Sequence, residues 1–295
     1  MADIGPRWAE DIPGHMKLML EQYSLVLQNA PKDGVVIWRE LSYGVHPRQV
    51  FDLYLPRDAT EKCPAVLFMH GGAFVDGHRN RTDQIHANLG YFLARDGVVL
   101  ANAGYRLAQD ARYPEASRDV AAAVSALHRR AEEFGIATSR IFLMGHSAGA
   151  AHIASYAYDA RLHPPAGPGI AGIIILSGRL RADNLPENPN ARKVETYYGT
   201  DASHFDDYSP LSHVGPDSVP TLVAWAEFEN PLIDVYCAEL VHRLAVAKRR
   251  APPLVWLGGH NHGSIVGLFN TAEDLLGRAI LDFIGQPQLR LSLSS

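Results

Sequence analysis

The chain has 295 residues, 47% of them hydrophobic and 20% charged, which is enough apolar material for a sizeable soluble core. A formal net charge of −5 gives no electrostatic basis for binding nucleic acid. No apolar run approaches the ~18 residues of a membrane span, and the start, MADIGPRWAEDIPG, lacks the basic-then-apolar order of a signal peptide.

In residues 1–30, Met16, Met19, Leu20, Tyr23 and Val26 or Leu27 recur at helical spacing. Residues 35–43 and 50–55 read as antiparallel edge strands; in the second, Phe51, Leu53 and Leu55 alternate. Two cysteines, Cys63 and Cys237, stand in unrelated contexts and fit buried free thiols in a reducing, cytoplasmic compartment. The apolar run 65–69 predicts a strand ending in His70-Gly71-Gly72-Ala73-Phe74. A Gly-rich loop leaving a strand can turn backbone N–H groups toward a developing oxyanion.

Residues 82–95 predict a helix with Ile85, Leu89, Phe92 and Leu93 on one face, stopped by Gly97. A strand over 98–101 and a long helix over 114–134 follow, the latter carrying Val120, Val124 and Leu127 and ending at Gly135. The next stretch, 141–144, is a buried strand that runs into Gly145-His146-Ser147-Ala148-Gly149 and a helix of small residues. G-x-S-x-G in that setting is a nucleophile elbow: the serine sits on a strained strand-to-helix turn, and the Ala148 N–H can donate to an oxyanion. A side chain at Gly145 or Gly149 would collide where strand and helix come close.

Residues 170–176 predict a buried parallel strand. Residues 177–215, rich in Pro, Asn and Asp, read as an excursion over the site within a single domain spanning 1–295. Then come a strand over 221–226, a helix over 231–248 closed by Lys248-Arg249-Arg250, a last strand over 254–257 and a closing helix over 272–284. Strands alternating with helices predict a mostly parallel sheet flanked by helices.

The two loops together make the chain resemble the α/β-hydrolase family, in particular the hormone-sensitive-lipase-like and arylformamidase-like esterases with an HGG oxyanion loop. The resemblance runs from Val35 to Ile284 and includes Tyr105-Arg106-Leu107-Ala108, Tyr113-Pro114-Glu115-Ala116, Ser209-Pro210-Leu211 and the late His262. It implies an α/β-hydrolase fold with the 1–30 leader as a helical cap, although the helix can equally dock on the sheet edge. It also implies an oxyanion hole of Gly71, Gly72, Ala73 and Ala148. The family's third glycine is Ala73 here, which keeps the N–H and narrows the acyl side.

A serine hydroxyl needs a base to become a nucleophile. The family's chain order is Ser, acid, His, which implies Ser147 and, after the last strand, His262. His260 then supports the loop, or the two form an HxH metal pair. The acid lies among Glu227, Glu229 and Asp234. Pro231 suits the first position of the next helix and Asn230 its cap, which puts Glu229 in the loop just past the strand and makes it the expected triad acid, with Asp234 inside the helix and Glu227 at the strand end. Asp119 is expected to pair near the Arg106 loop. Phe74, Tyr197, Tyr198, Trp225 and Phe228 either line a substrate pocket or pack in the core. Arg79 and Arg81 either attract an acidic substrate or stand solvated at the surface.

The resemblance implies a serine carboxylesterase acting on small short-acyl esters with no cofactor and no metal. An arylformamidase shares the loop and triad, and a non-catalytic ligand-binding module is the reading from another class. The expected partner is a small-molecule ester, with neither nucleic acid nor membrane; a homodimer is left open.

Overall fold

A computed structural model describes residues 3–286; residues 1, 2 and 287–295, which the single-domain expectation also spans, lie outside the described residues. The elements run α1 (Ile12–Gln28), β1 (Val35–Ser42), β2 (Val50–Pro56), β3 (Cys63–Met69), α2 (Ala87–Arg95), β4 (Val99–Ala103), α3 (Glu115–Arg129), β5 (Ile136–His146), α4 (Ala148–Tyr158) and β6 (Gly172–Leu176). After them come α5 (Ala191–Tyr198), α6 (Phe205–Tyr208), β7 (Thr221–Phe228), α7 (Ile233–Lys248), β8 (Leu254–Asn261), α8 (Ser264–Gly267) and α9 (Leu275–Gly285).

The strands form one sheet in the order β1-β2-β4-β3-β5-β6-β7-β8. Only β2 runs against its neighbours; all other pairings are parallel. The two expected edge strands therefore become one edge strand and one interior strand. This is the α/β-hydrolase arrangement.

Strand alternation divides the core between two faces. Ala65, Leu67 and Met69 of β3 pack with α3, α4 and α7, while Val66 and Phe68 pack with α2 and α9. All five are fully buried. A strand covered on both sides needs a continuous apolar run, which is why residues 65–69 and 173–176 read as they do.

Where the observed elements depart from the sequence pattern, a local contact is the reason. Helix α2 begins at Ala87 rather than 82, because His86 sits at φ 76° and interrupts the turn that Thr82 Oγ1 organises. Helix α3 stops at Arg129, and residues 130–134 form turns ahead of Gly135 at φ 62°. Helix α7 begins at Ile233, because Leu232 is left-handed at φ 73°. Asn230 is therefore not its cap; its side chain accepts a hydrogen bond from Trp8 instead. The excursion over 177–215 holds no strand and carries α5 and α6. Cys63 and Cys237 are both buried and free.

Candidate active site

Ser147 lies between β5 and α4 at φ 54°, ψ −117°, a conformation that costs an L-residue energy and persists only when its surroundings hold it. The tip of β6 and the loop that follows it do so. Its N–H donates to Leu176 O at 3.0 Å, and its carbonyl accepts from Arg179 N at 3.1 Å. The crossing is close: a Cβ on Gly149 would lie 2.1 Å from Met69 O, and one on Gly145 would lie 2.6 Å from Gly149 O. Helix α4 is buried at all eleven of its positions, which is what its run of alanines permits.

The loop after β8 brings His262 to this turn. Its Nε2 is 3.0 Å from Ser147 Oγ, and its Nδ1 is 2.5 Å from Glu229 Oε2. Both side chains are almost wholly buried, His262 at 4% exposure and Glu229 at 2%. Glu229 Oε1 accepts two further hydrogen bonds, from Ala226 N at 2.9 Å and from the Ser177 hydroxyl. The His262 backbone is pinned twice: its N–H donates to Phe228 O at 3.0 Å, and its carbonyl accepts from His146 Nε2 at 2.8 Å. Burial and the neighbouring His262 hold His146 well below the ordinary histidine pKa, so it stays neutral and donates from Nε2.

The other two carboxylates of this segment lie elsewhere. Glu227 Oε2 accepts from Gly259 N at 2.7 Å and steadies the turn of β8. Asp234 is exposed in the first turn of α7. His260 turns away from His262, with Nε2 2.7 Å from Glu273 and Nδ1 3.1 Å from Ser264 Oγ, so the two histidines do not converge on one point.

The His70–Phe74 loop faces the serine across the cleft. Gly71 packs against it: a Cβ there would lie 2.9 Å from His146 Nδ1 and 3.1 Å from Ser147 Cβ. Gly72 has φ 143°, and a Cβ on it would lie 1.8 Å from Asp76 O, so the position admits glycine alone. Ala73 follows at φ 49°, a left-handed alanine in the place of the family's third glycine. The N–H groups of Gly72 and Ala73 donate to no protein acceptor among the described residues. Ala148 N opens α4, so its N–H has no intrahelical acceptor. Beneath the loop His70 is fully buried, stacked 4.5 Å from Tyr105, and held neutral by burial. The Tyr105 hydroxyl donates to His70 O at 2.9 Å.

A cleft of about 180 Å³ opens onto Ser147 and His262. Ile12, Met16, Met19 and Leu20 of α1 form its apolar wall, which puts the leader helix at the site rather than on the sheet edge. Arg81, Asp76, Asn190 and Lys193 form the polar rim.

The aromatic residues proposed as pocket lining do not line this cleft. Phe74 and Tyr197 are buried and stack in parallel 4.8 Å apart, with Tyr198 edge-on to Phe74 at 5.3 Å; they fill the core beneath the loop. Trp225 packs half-buried on β7 against that core, and Phe228 contributes its carbonyl to His262. Arg79 is neither solvated nor free for substrate: it is 6% exposed and paired with Asp52 and Glu40. Arg81 does reach the rim, 3.6 Å from Asp76. Asp119 accepts from Arg106 and Gln49, the pairing expected of it near the Arg106 loop. Ser177, His146 and the Trp8–Asn230 pair were not foreseen. A polar residue directly after the apolar run 173–176 was the one available sign of Ser177.

The chain matches the BD-FAE family over residues 51–160. It is 29% identical to "Probable isoprenylcysteine alpha-carbonyl methylesterase ICME" of Oryza sativa subsp. japonica, over 62% of this chain and 44% of that protein. It is 27% identical to "Esterase LipC" of Mycobacterium tuberculosis, over 76% of this chain and 59% of that protein. The chain thus spans less than two thirds of either curated relative. Among solved structures, "Bacterial Heroin Esterase" superposes with a TM-score of 0.71 at 22% identity, covering 94% of this chain and 91% of that one. Esterase B from Lactobacillus rhamnosis superposes with a TM-score of 0.73 at 17% identity, covering 97% and 96%.

Proposed function

We propose that this chain, which belongs to the α/β-hydrolase family of esterases, hydrolyses small carboxylic esters with short acyl groups through an acyl-serine intermediate. The observation that carries the reading is the continuous relay in which His262 bridges Ser147 and Glu229, beside N–H groups that have no protein acceptor among the described residues.

His262 Nε2 takes the Ser147 proton as Oγ attacks the ester carbonyl. Glu229 accepts the Nδ1–H, fixes the tautomer and stabilises the imidazolium that forms. The Gly72, Ala73 and Ala148 N–H groups receive the oxyanion, with Gly71 letting the loop approach the serine. The imidazolium returns its proton to the departing alcohol. Water then attacks the acyl carbon by the same route, and Ser147 is released.

The cleft size supports a small substrate, since about 180 Å³ lies below the ~300–1,000 Å³ typical of drug-sized ligands. The names of the relatives, esterases and a methylesterase, agree with ester chemistry. A serine-directed phosphonate tests the assignment: it should label wild type at one site per chain, on Ser147. Label on another residue, or near-full activity in Ser147→Ala, would overturn it.

A further inference from the structure

We infer that Ser177 is a positioning residue for this reaction: its hydroxyl fixes which oxygen of Glu229 faces His262. The inference rests on the Ser147–His262–Glu229 relay proposed above and adds to it a residue outside that triad.

Ser177 directly follows β6 and is fully buried. Its backbone stands at φ 47°, in the left-handed region that glycine occupies without strain. Its N–H donates to Ala224 O at 2.8 Å, so the residue is clamped to the neighbouring strand. The side chain at this strained position donates its hydroxyl to Glu229 Oε1.

Glutamate has one more rotatable bond than aspartate, so its carboxylate needs more to hold it. Two donors from two different strand ends, Ser177 Oγ–H and Ala226 N–H, converge on Oε1. With Oε1 held, Oε2 is left pointing at His262 Nδ1 at 2.5 Å. Ser177 and Ser147 are also coupled through β6, since Ser147 N–H donates to Leu176 O, one residue before Ser177. The tip of β6 therefore sets the nucleophile and the acid together.

Other titratable groups face this pair. His146, at the end of β5, has its ring 4.8 Å from His262 and is kept neutral by burial. Cys237 of α7 is buried with its Sγ 3.9 Å from Gly178 O, and burial keeps its thiol protonated. Glu227 faces Gly259 on the outer side of the loop. None of these supplies a donor to Glu229 Oε1.

Removing the Ser177 hydroxyl leaves more negative charge on the carboxylate, which favours the imidazolium. The acid limb of the kcat/KM profile should therefore move to higher pH. The test uses Ser177→Ala and Ser177→Gly in the full chain, with rates normalised to phosphonate-titrated sites. Both should lose kcat by about tenfold to a hundredfold, the size of one hydrogen bond to a charged group, with KM within about twofold of wild type. Both should raise the acid limb by roughly half a pH unit. Ser177→Gly, freed of backbone strain, should melt no lower than Ser177→Ala, so a folded variant is in hand even if the alanine form is unstable. If both variants keep kcat within about twofold, or the limb does not move, the inference is overturned while labelled Ser147 stands. If wild type takes no label at Ser147, the underlying relay fails instead.

Discussion

The Trp8 indole N–H donates to Asn230 Oδ1 at 2.8 Å, a buried bond between residues 222 apart in sequence. Asn230 directly follows Glu229, and Trp8 stands just before the helix whose Ile12, Met16, Met19 and Leu20 wall the cleft. One bond thus ties the leader to the loop that carries the acid. Trp8→Phe keeps most of the buried ring and strands the Asn230 acceptor, at a cost of about 1–3 kcal/mol. Thermal melts should show a lower Tm. With the wall loosened, KM for short esters should rise severalfold while kcat changes less. A variant with wild-type Tm and KM would refute the coupling.

The three carboxylates after β7 should separate by kinetics. Glu229→Gln keeps the shape and loses the charge that stabilises the imidazolium, so kcat should fall by ~10²–10⁴ with KM little changed. Asp234→Asn, exposed on α7, should stay near wild type. Glu227→Gln should fall between them, since it loses only an anchor of the Gly259 turn. A crippled Asp234→Asn beside a normal Glu229→Gln would reverse the assignment.

Acyl chain length should be limited by the wall contributed by α1. Acetate to butyrate p-nitrophenyl esters should exceed decanoate in kcat/KM. Met16 lines the cleft, and its thioether also packs within reach of Gly263 beside His262. Met16→Ala should extend the range toward longer chains without lowering the rate on acetate. Ala73→Gly should widen the oxyanion side and relieve the left-handed backbone at φ 49°. Decanoate as the best wild-type substrate would contradict this account of the cleft.

Stability should fall as the solution is acidified below about pH 6.5. His70, His86, His146 and His152 are buried, and burial lowers the pKa of each, to about 4 for His86 and about 3 for His152. The unfolded chain takes up protons at ~6.5, whereas the folded chain does not until much lower pH. Stability from these groups is therefore complete above pH ~6.5 and is lost downward from there, by up to ~1.4 kcal/mol per pH unit for each histidine. His152 makes a clean probe, because its Nε2 is buried with no hydrogen-bond partner among the described residues and Phe74, Tyr105 and Tyr197 surround the ring. His152→Phe should flatten the Tm-versus-pH slope between pH 5 and 6.5 by about one proton's worth. An unchanged slope would count against buried neutral histidine.

The sequence by itself determined what is local or periodic. The apolar runs 65–69 and 173–176, the helical spacing in α1 to α3, and Gly145 to Gly149 around Ser147 each encode a requirement met within a few residues: two buried faces, one buried stripe, one tight crossing. Element ends were less legible, because His86 and Leu232 take left-handed backbones that tertiary contacts impose. Only the tertiary structure decided how Glu229, the acid that its place between strand end and Pro231 predicts, is held to His262, since that depends on Ser177 and Ala226 gripping it. It alone turned Phe74 and Tyr197 into the core, drew Arg79 inward to Asp52, and seated the leader against the cleft. Each of these joins residues that are remote in sequence, where an aromatic or a charge carries no mark of the partner it will find.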